Sequence, residues 1–172
     1  TLSARIEQAA DGQQLVVRVA NTGAGHALPT GVADFRELWL ELTVTDASGN
    51  IVLTSGQPVE GAVPEDARLF RKVFGDAEGK PVGLKFWRYA KLLEDTRIPA
   101  DGWRDEAWQL PADARGPFQA DIRLNFRTYP KWVSDAVRAA EPSLPAPPIV
   151  QLNRLQLTLQ PLPVTPDTEP QS

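Results

Sequence analysis

Cysteine and methionine are absent from this 172-residue chain, and histidine occurs once, at position 26. Without cysteine there are no disulfides, no thiolate metal sites, no cysteine nucleophile and no covalent haem attachment through CxxCH. A chain without methionine that begins Thr-Leu-Ser reads as a processed protein or an excised domain, its targeting peptide already gone. Apolar runs last only a few residues, far below the ~20 that cross a bilayer, so no membrane span is expected. Basic charge is also in short supply: 18 Lys and Arg stand against 22 Asp and Glu, a net charge of −4. The cations read as scattered, which gives no basic patch for nucleic acid. Long helices are disfavoured by 16 prolines and 12 glycines, which predict many turns.

Strand patterns dominate what remains. Leu15, Val17 and Val19 share one face of a first run. In a second, Leu38, Leu40, Leu42 and Val44 alternate with Trp39, Glu41, Thr43 and Thr45, the period of a strand with one buried face. The polar turn Asp46 to Asn50 and the run Ile51 to Ser55 complete an antiparallel hairpin. Phe118, Ala120, Ile122, Leu124 and Phe126 alternate with Gln119, Asp121, Arg123, Asn125 and Arg127, the most regular strand of the chain. A last strand falls within Ile149 to Leu159, where a change of parity predicts a bulge near Asn153 or Arg154. Pro130 opens, and Pro142 stops, one short helix near 130–140.

These elements predict an all-β fold, an antiparallel β-sandwich that is immunoglobulin-like in architecture only. The expected organisation is a single domain over 1–163, with an irregular insertion at about 56–97 and a flexible tail at 164–172. Within the insertion, Leu84, Phe86 and Trp87 suggest the start of a strand and Tyr89 to Leu93 a short helix.

The stretch with chemical content is Asn21 to Gly31, NTGAGHALPTG. Its plain reading is structural. Gly23 and Gly25 permit positive φ, Pro29 keeps Leu28 extended, and Asn21 and Thr30 tie loop amides. The sharper reading makes His26 a metal ligand lent to something outside the chain. One imidazole cannot build a structural zinc site, but it can fill one axial position on a haem iron. Small neighbours would let a flat macrocycle approach, and the second ring nitrogen would need a partner: Asp34, Thr30 or a loop carbonyl.

The order NTGAGHALPTG followed by FRELWLELTVTDASGNIVLTSG resembles a β-rich domain found toward the C-terminus of exported multihaem c-type cytochromes. The matching positions are Asn21, Gly25, His26, Pro29, Thr30, Gly31, Arg36, Asp46, Gly49, Ser55 and Gly56. Asp95 to Pro99 and Leu124 to Arg127 also resemble that pattern in order, so the likeness covers most of 20–129. It departs in carrying no CxxCH. The resemblance implies a non-catalytic accessory domain in the periplasm or outside the cell. The haem c would be carried by a neighbouring domain or chain and bound covalently by no residue here, with that haem-bearing cytochrome as partner and a further redox protein beyond it. His26 would be the distal ligand.

Arg36 suits a haem propionate, since guanidinium grips carboxylates in two-pronged fashion; an ion pair with Asp34 or Glu37 is the plainer expectation. Five tryptophans suggest either a broad core or, on an exposed face, a platform for a carbohydrate or protein partner on the cell surface. Trp39 falls on the polar side of its strand, either exposed or beneath another element. Acidic pairs among Glu65, Asp66, Asp76, Glu78, Glu94, Asp95, Asp101, Asp105 and Glu106 match no EF-hand spacing, and acidic loop residues are expected to be mostly solvated. A Ser–His–Asp triad is formally possible, but there is no Gly-x-Ser-x-Gly elbow.

Overall fold

The computed structural model describes residues 1–163; the expected tail at 164–172 lies outside them. Nine strands appear among the described residues: β1 (Leu2–Ala9), β2 (Gly12–Ala20), β3 (Glu37–Thr45), β4 (Ile51–Ser55), β5 (Lys72–Gly75), β6 (Lys91–Asp95), β7 (Trp103–Gln109), β8 (Phe118–Arg127) and β9 (Val150–Leu159). The helix α1 spans Lys131–Ala140, and short 3-10 turns occupy Ala33–Phe35 and Phe86–Arg88.

Two antiparallel sheets face each other, β1-β2-β7 and β4-β3-β8-β9. The alternating residues meet between them. Leu15, Val17, Val19 and Trp108 come from one sheet, and Leu38, Leu40, Leu42, Val44, Phe118, Ala120 and Ile122 from the other. Phe70 and Ile98, both in connections, plug the end of this core. Such residues each contribute about 1.5–3 kcal/mol when fully buried, so the sandwich has a sufficient core of its own. The expected bulge in β9 is present one residue early: Leu124 pairs with Asn153 and Asn125 with Gln151, so Leu152 is the extra residue.

The insertion differs from expectation. Residues 68–70 run along the start of β3, with the Leu40 amide donating to Arg68 O at 3.1 Å and the Phe70 amide to Leu38 O at 2.7 Å. They extend the sheet at the β3 edge beyond β4, while the outer face is covered from Gly56 onward, and Trp39 is buried there with its indole N–H on Gly56 O at 2.9 Å. The close packing depends on Gly56, at φ 76°, where a Cβ would lie 2.1 Å from Leu40 O. Beyond this cover, β5 and β6 form a separate two-stranded ribbon. The helix expected at Tyr89 to Leu93 is strand from Lys91, and the strand expected to begin at Leu84 is a 3-10 turn. Pairing to β5 decides this, with Leu93 filling the space over Gly75 where a Cβ would sit 2.8 Å away.

The outer face of the smaller sheet carries a charge cluster. Asp105 accepts two hydrogen bonds from Arg18, both at 2.7 Å, and one from Arg5 at 3.1 Å. Arg18 in first place, then Arg5, hold its carboxyl well below the ordinary 3.8, at about 2. A depressed carboxylate stabilises the fold above its unfolded pKa and loses that contribution as pH falls through the folded one. Asp105→Asn is therefore expected to cost about 1 kcal/mol at neutral pH, discounted for solvent screening. That difference should shrink as pH falls from 3.8 to about 2, as urea denaturation across that interval would show.

Candidate functional site

The loop after β2 is organised by one buried side chain. Asn21 donates its amide to His26 O at 2.9 Å and to Pro99 O at 3.1 Å, and its own oxygen accepts the Ala24 amide at 3.0 Å. Its backbone N–H reaches Gly102 O at 2.8 Å. A few residues later Leu28 and Ile98 exchange two backbone hydrogen bonds of 2.8 Å. Pro29, after a cis peptide, is buried. The two motifs that are about 70 residues apart in sequence, Asn21 to Gly31 and Asp95 to Pro99, are thus one structural unit.

The second motif is pinned as firmly. Arg97 grips the Asp95 carboxylate with two hydrogen bonds of 2.9 Å, and Arg104 donates to Arg97 O at 2.8 Å and Asp95 O at 2.9 Å. The Arg97 contact, with Lys72 as a lesser cause, holds the Asp95 carboxyl below the usual carboxylate range. Thr96 Oγ1 donates to Leu69 O at 2.8 Å. Asp95 is therefore committed to holding the loop's neighbour in place. Asp46, Asp76 and Asp121 are likewise engaged, by backbone amides or arginines, rather than merely solvated. No cluster of three His, Cys, Asp or Glu suited to a metal ion occurs among the described residues.

His26 is exposed at the outer turn of the loop. Its Nδ1 lies 3.2 Å from Ala27 O. A carbonyl oxygen can only accept, so Nδ1 is the donor in this contact. Of the three candidates for the second nitrogen's partner, the structure selects the loop carbonyl. Gly23 and Gly25, which precede it, have nothing beyond their chain neighbours within 4 Å of the place a Cβ would occupy.

Arg36 does not make the expected pair with Asp34 or Glu37. Its Nη1 donates to Thr128 O at 2.7 Å, and among the described residues no carboxylate lies within ion-pair distance of it. Glu37 is taken by Arg127 instead. Gly31, at φ 76°, lies against the Arg36 side chain, which connects the end of the histidine loop to this guanidinium. The structure thus links His26 and Arg36 through the loop without placing them in contact.

Two tryptophans, Trp39 and Trp108, are buried, and three are exposed. Trp103 stands on β7 beneath the Arg18 guanidinium, Trp132 on α1 edge-on to Phe35, and Trp87 in the 3-10 turn beside Phe86. They belong to three different elements and form no row along one strand. The cations are not evenly scattered, as the composition suggested: from Gly79 to Leu93 there are Lys80, Lys85, Arg88 and Lys91 and no acidic residue. Sequence reading missed this because it judged charge along the whole chain rather than within the insertion.

No protein-family model matches this chain, and no curated protein matches it. Its fold is similar to that of a penta-heme cytochrome c552 from Thermochromatium tepidum, with a TM-score of 0.68 and 21% sequence identity. The match covers 92% of this chain and 39% of that one, so the chain spans about two-fifths of the length of the structure it resembles.

Proposed function

We propose that this chain is a non-catalytic accessory domain of an exported multihaem electron-transfer protein, and that His26 is an axial ligand to a haem held covalently elsewhere. The observation that carries the proposal is the imidazole itself: exposed, preceded by two glycines, with Nδ1 on Ala27 O and, among the described residues, no hydrogen-bond partner at Nε2. An axial ligand needs that arrangement, because a hydrogen bond at the second nitrogen fixes the tautomer and raises ligand basicity. The fold similarity to a penta-heme cytochrome c552 supports the reading. So does the remainder of that longer chain, which leaves room for haem-bearing segments beside such a domain.

Haem iron, when bound, supplies reversible one-electron exchange. The chain's own residues do the rest. Asn21 and the Leu28–Ile98 pair hold the imidazole's backbone in one place. Arg36, which has no carboxylate within ion-pair distance among the described residues, is suited to a propionate. With the group bound, the sandwich would exclude water from one side of it, which would disfavour the more positive oxidised state and raise the potential. A hydrolytic role for His26 has less support, since its Nδ1 meets a carbonyl and not the carboxylate that orients a catalytic histidine.

The test uses a haem c undecapeptide, which carries one haem with one histidine ligand and an open sixth position. Titrated with the 172-residue chain, it is expected to convert to a low-spin, bis-histidine spectrum at least tenfold more tightly than with N-acetylhistidine. His26→Ala is expected to abolish the conversion. Binding no tighter than free N-acetylhistidine, or an unchanged spectrum in the variant, overturns the proposal.

A further inference from the structure

The ribbon β5–β6 and the turn between its strands form an arm that the sandwich does not need for its core. A two-stranded ribbon standing alone is marginal in water, and this one pairs with neither large sheet. Yet Leu84 to Leu93 are exposed without interruption, and they include Phe86 at 66% and Trp87 at 72% exposure. Leu84, Tyr89, Leu92 and Leu93 are exposed with them. Exposed apolar side chains gathered this densely in one short segment mark a contact site.

Two further observations say what would cover it. Lys80, Lys85, Arg88 and Lys91 lie among these residues and, among the described residues, none is within ion-pair distance of a carboxylate; the arm's ion pairs use Arg71, Lys72 and Arg97 instead. In a chain of net charge −4 that is a local reversal of sign. The arm is also continuous with the histidine loop. A cavity of about 510 Å³ is lined by Val32, Phe35, Phe74, Val82, Phe86 and Tyr89, with Gly31, the last residue of the loop motif, at its rim. Its remaining lining includes the Lys72 and Arg97 side chains, both shared with Asp95, and Asp34.

We infer that the arm is a second docking element for the same haem-bearing partner. Its aromatic and aliphatic side chains cover the apolar porphyrin edge, and its unpaired cations meet the propionates. The inference rests on the reading of the chain as a haem-associated domain. The chemistry matches term by term: a haem rim is a flat apolar edge with two carboxylates on one side, and the arm is a run of exposed aromatics interleaved with unpaired ammonium and guanidinium groups. Indole and phenyl faces stack on flat π systems with the energetics of aromatic pairs, and guanidinium takes carboxylates in bidentate fashion.

The same haem c undecapeptide serves as probe, with affinity read from quenching of tryptophan emission and coordination read from the Soret band. Phe86→Ser/Trp87→Ser is expected to raise Kd at least tenfold, both in the wild-type background and with His26→Ala, while the saturated wild-type spectrum stays low-spin. The remaining tryptophans supply the emission in the double variant. Lys85→Glu/Arg88→Glu is expected to raise Kd about tenfold with the free propionates and to make no difference with a probe whose propionates are esterified. An unchanged Kd in the serine variant overturns the arm's role whatever the spectrum shows. A missing low-spin band in the wild type overturns the ligand reading and leaves the arm standing if the Kd ratio persists. Tighter association with phosphatidylglycerol vesicles than with the probe, or a dimer in sedimentation that the serine variant dissolves, overturns the inference in favour of a membrane surface or a second copy.

Discussion

Asn21→Asp is expected to destabilise the protein by about 3–4 kcal/mol at neutral pH, more than Asn21→Ala at about 2, although it is the nearly isosteric change. The reason is the polarity of the partners. The Asn21 amide nitrogen donates to two carbonyl oxygens, of His26 and Pro99, while its oxygen accepts the Ala24 amide. A carboxylate keeps the last contact and turns its other oxygen against two acceptors at a site that is 4% exposed. Alanine leaves the same three groups unpaired but adds no charge. For a domain of this size, 3 kcal/mol corresponds to roughly 10 °C in Tm. The deficit of the aspartate should diminish as pH is lowered, since a protonated carboxyl can donate to one of the carbonyls. Low-spin conversion of the haem c undecapeptide should weaken in step, because Asn21 is what ties the backbone of His26 to the second motif. An aspartate variant as stable as the wild type would show that the amide does not hold the loop.

The comparison of pattern with structure turns on which residues had an unambiguous place to go. Leu38 to Thr45 and Phe118 to Arg127 alternate because their sheet has a core on one side, and both strands lie where alternation places them. β1 and β7 went unnoticed for the opposite reason. β1 carries small and polar residues at half-buried positions, and WRDEAWQ in β7 carries charges whose partners, such as Arg18 for Asp105, lie on another strand. Alternation put Trp39 opposite the core, either exposed or beneath another element, and could not choose between the two. Trp39, Glu37, Asn125 and Arg127 all sit on that opposite face and are all buried, because the base of the insertion folds over it. Nothing within those strands announces a cover supplied by the stretch from Gly56 to Gly61.

The site divides in the same way. That His26 stands in an exposed glycine loop follows from its neighbours. That Asp95 to Pro99 completes the loop does not, because the joining contacts are backbone carbonyls and amides, which carry no residue signature. Arg36 was assigned the nearest carboxylates in sequence, but Glu37 points to the face where Arg127 waits directly opposite across the strand pair. Adjacent residues on a strand point to opposite faces, so Arg36 and Glu37 were never placed to meet.

That buried pair carries the other large effect. Arg127 donates from Nε to Glu37 at 2.7 Å and again from Nη2 to the same carboxylate oxygen, while its Nη1 reaches Gly61 O at 2.6 Å. Both residues are nearly sealed from solvent. Removing one partner of such a pair costs about 3–5 kcal/mol, chiefly the penalty of a buried charge left alone. Arg127→Met is therefore expected to lower Tm by about 10 °C or more. The double variant Glu37→Met/Arg127→Met should recover most of that loss, leaving a deficit of about 1–2 kcal/mol for the unpaired Gly61 carbonyl. A double-mutant cycle by urea denaturation gives the coupling directly. If Arg127→Met costs no more than about 1 kcal/mol, the pair is solvated and the cover over the outer face is looser than described. The consequence reaches the candidate site through the chain itself: Arg36 precedes Glu37, and the carbonyl it donates to, Thr128 O, follows Arg127. The single variant should therefore also weaken any dependence of haem peptide affinity on Arg36, and the double variant should restore it along with the fold.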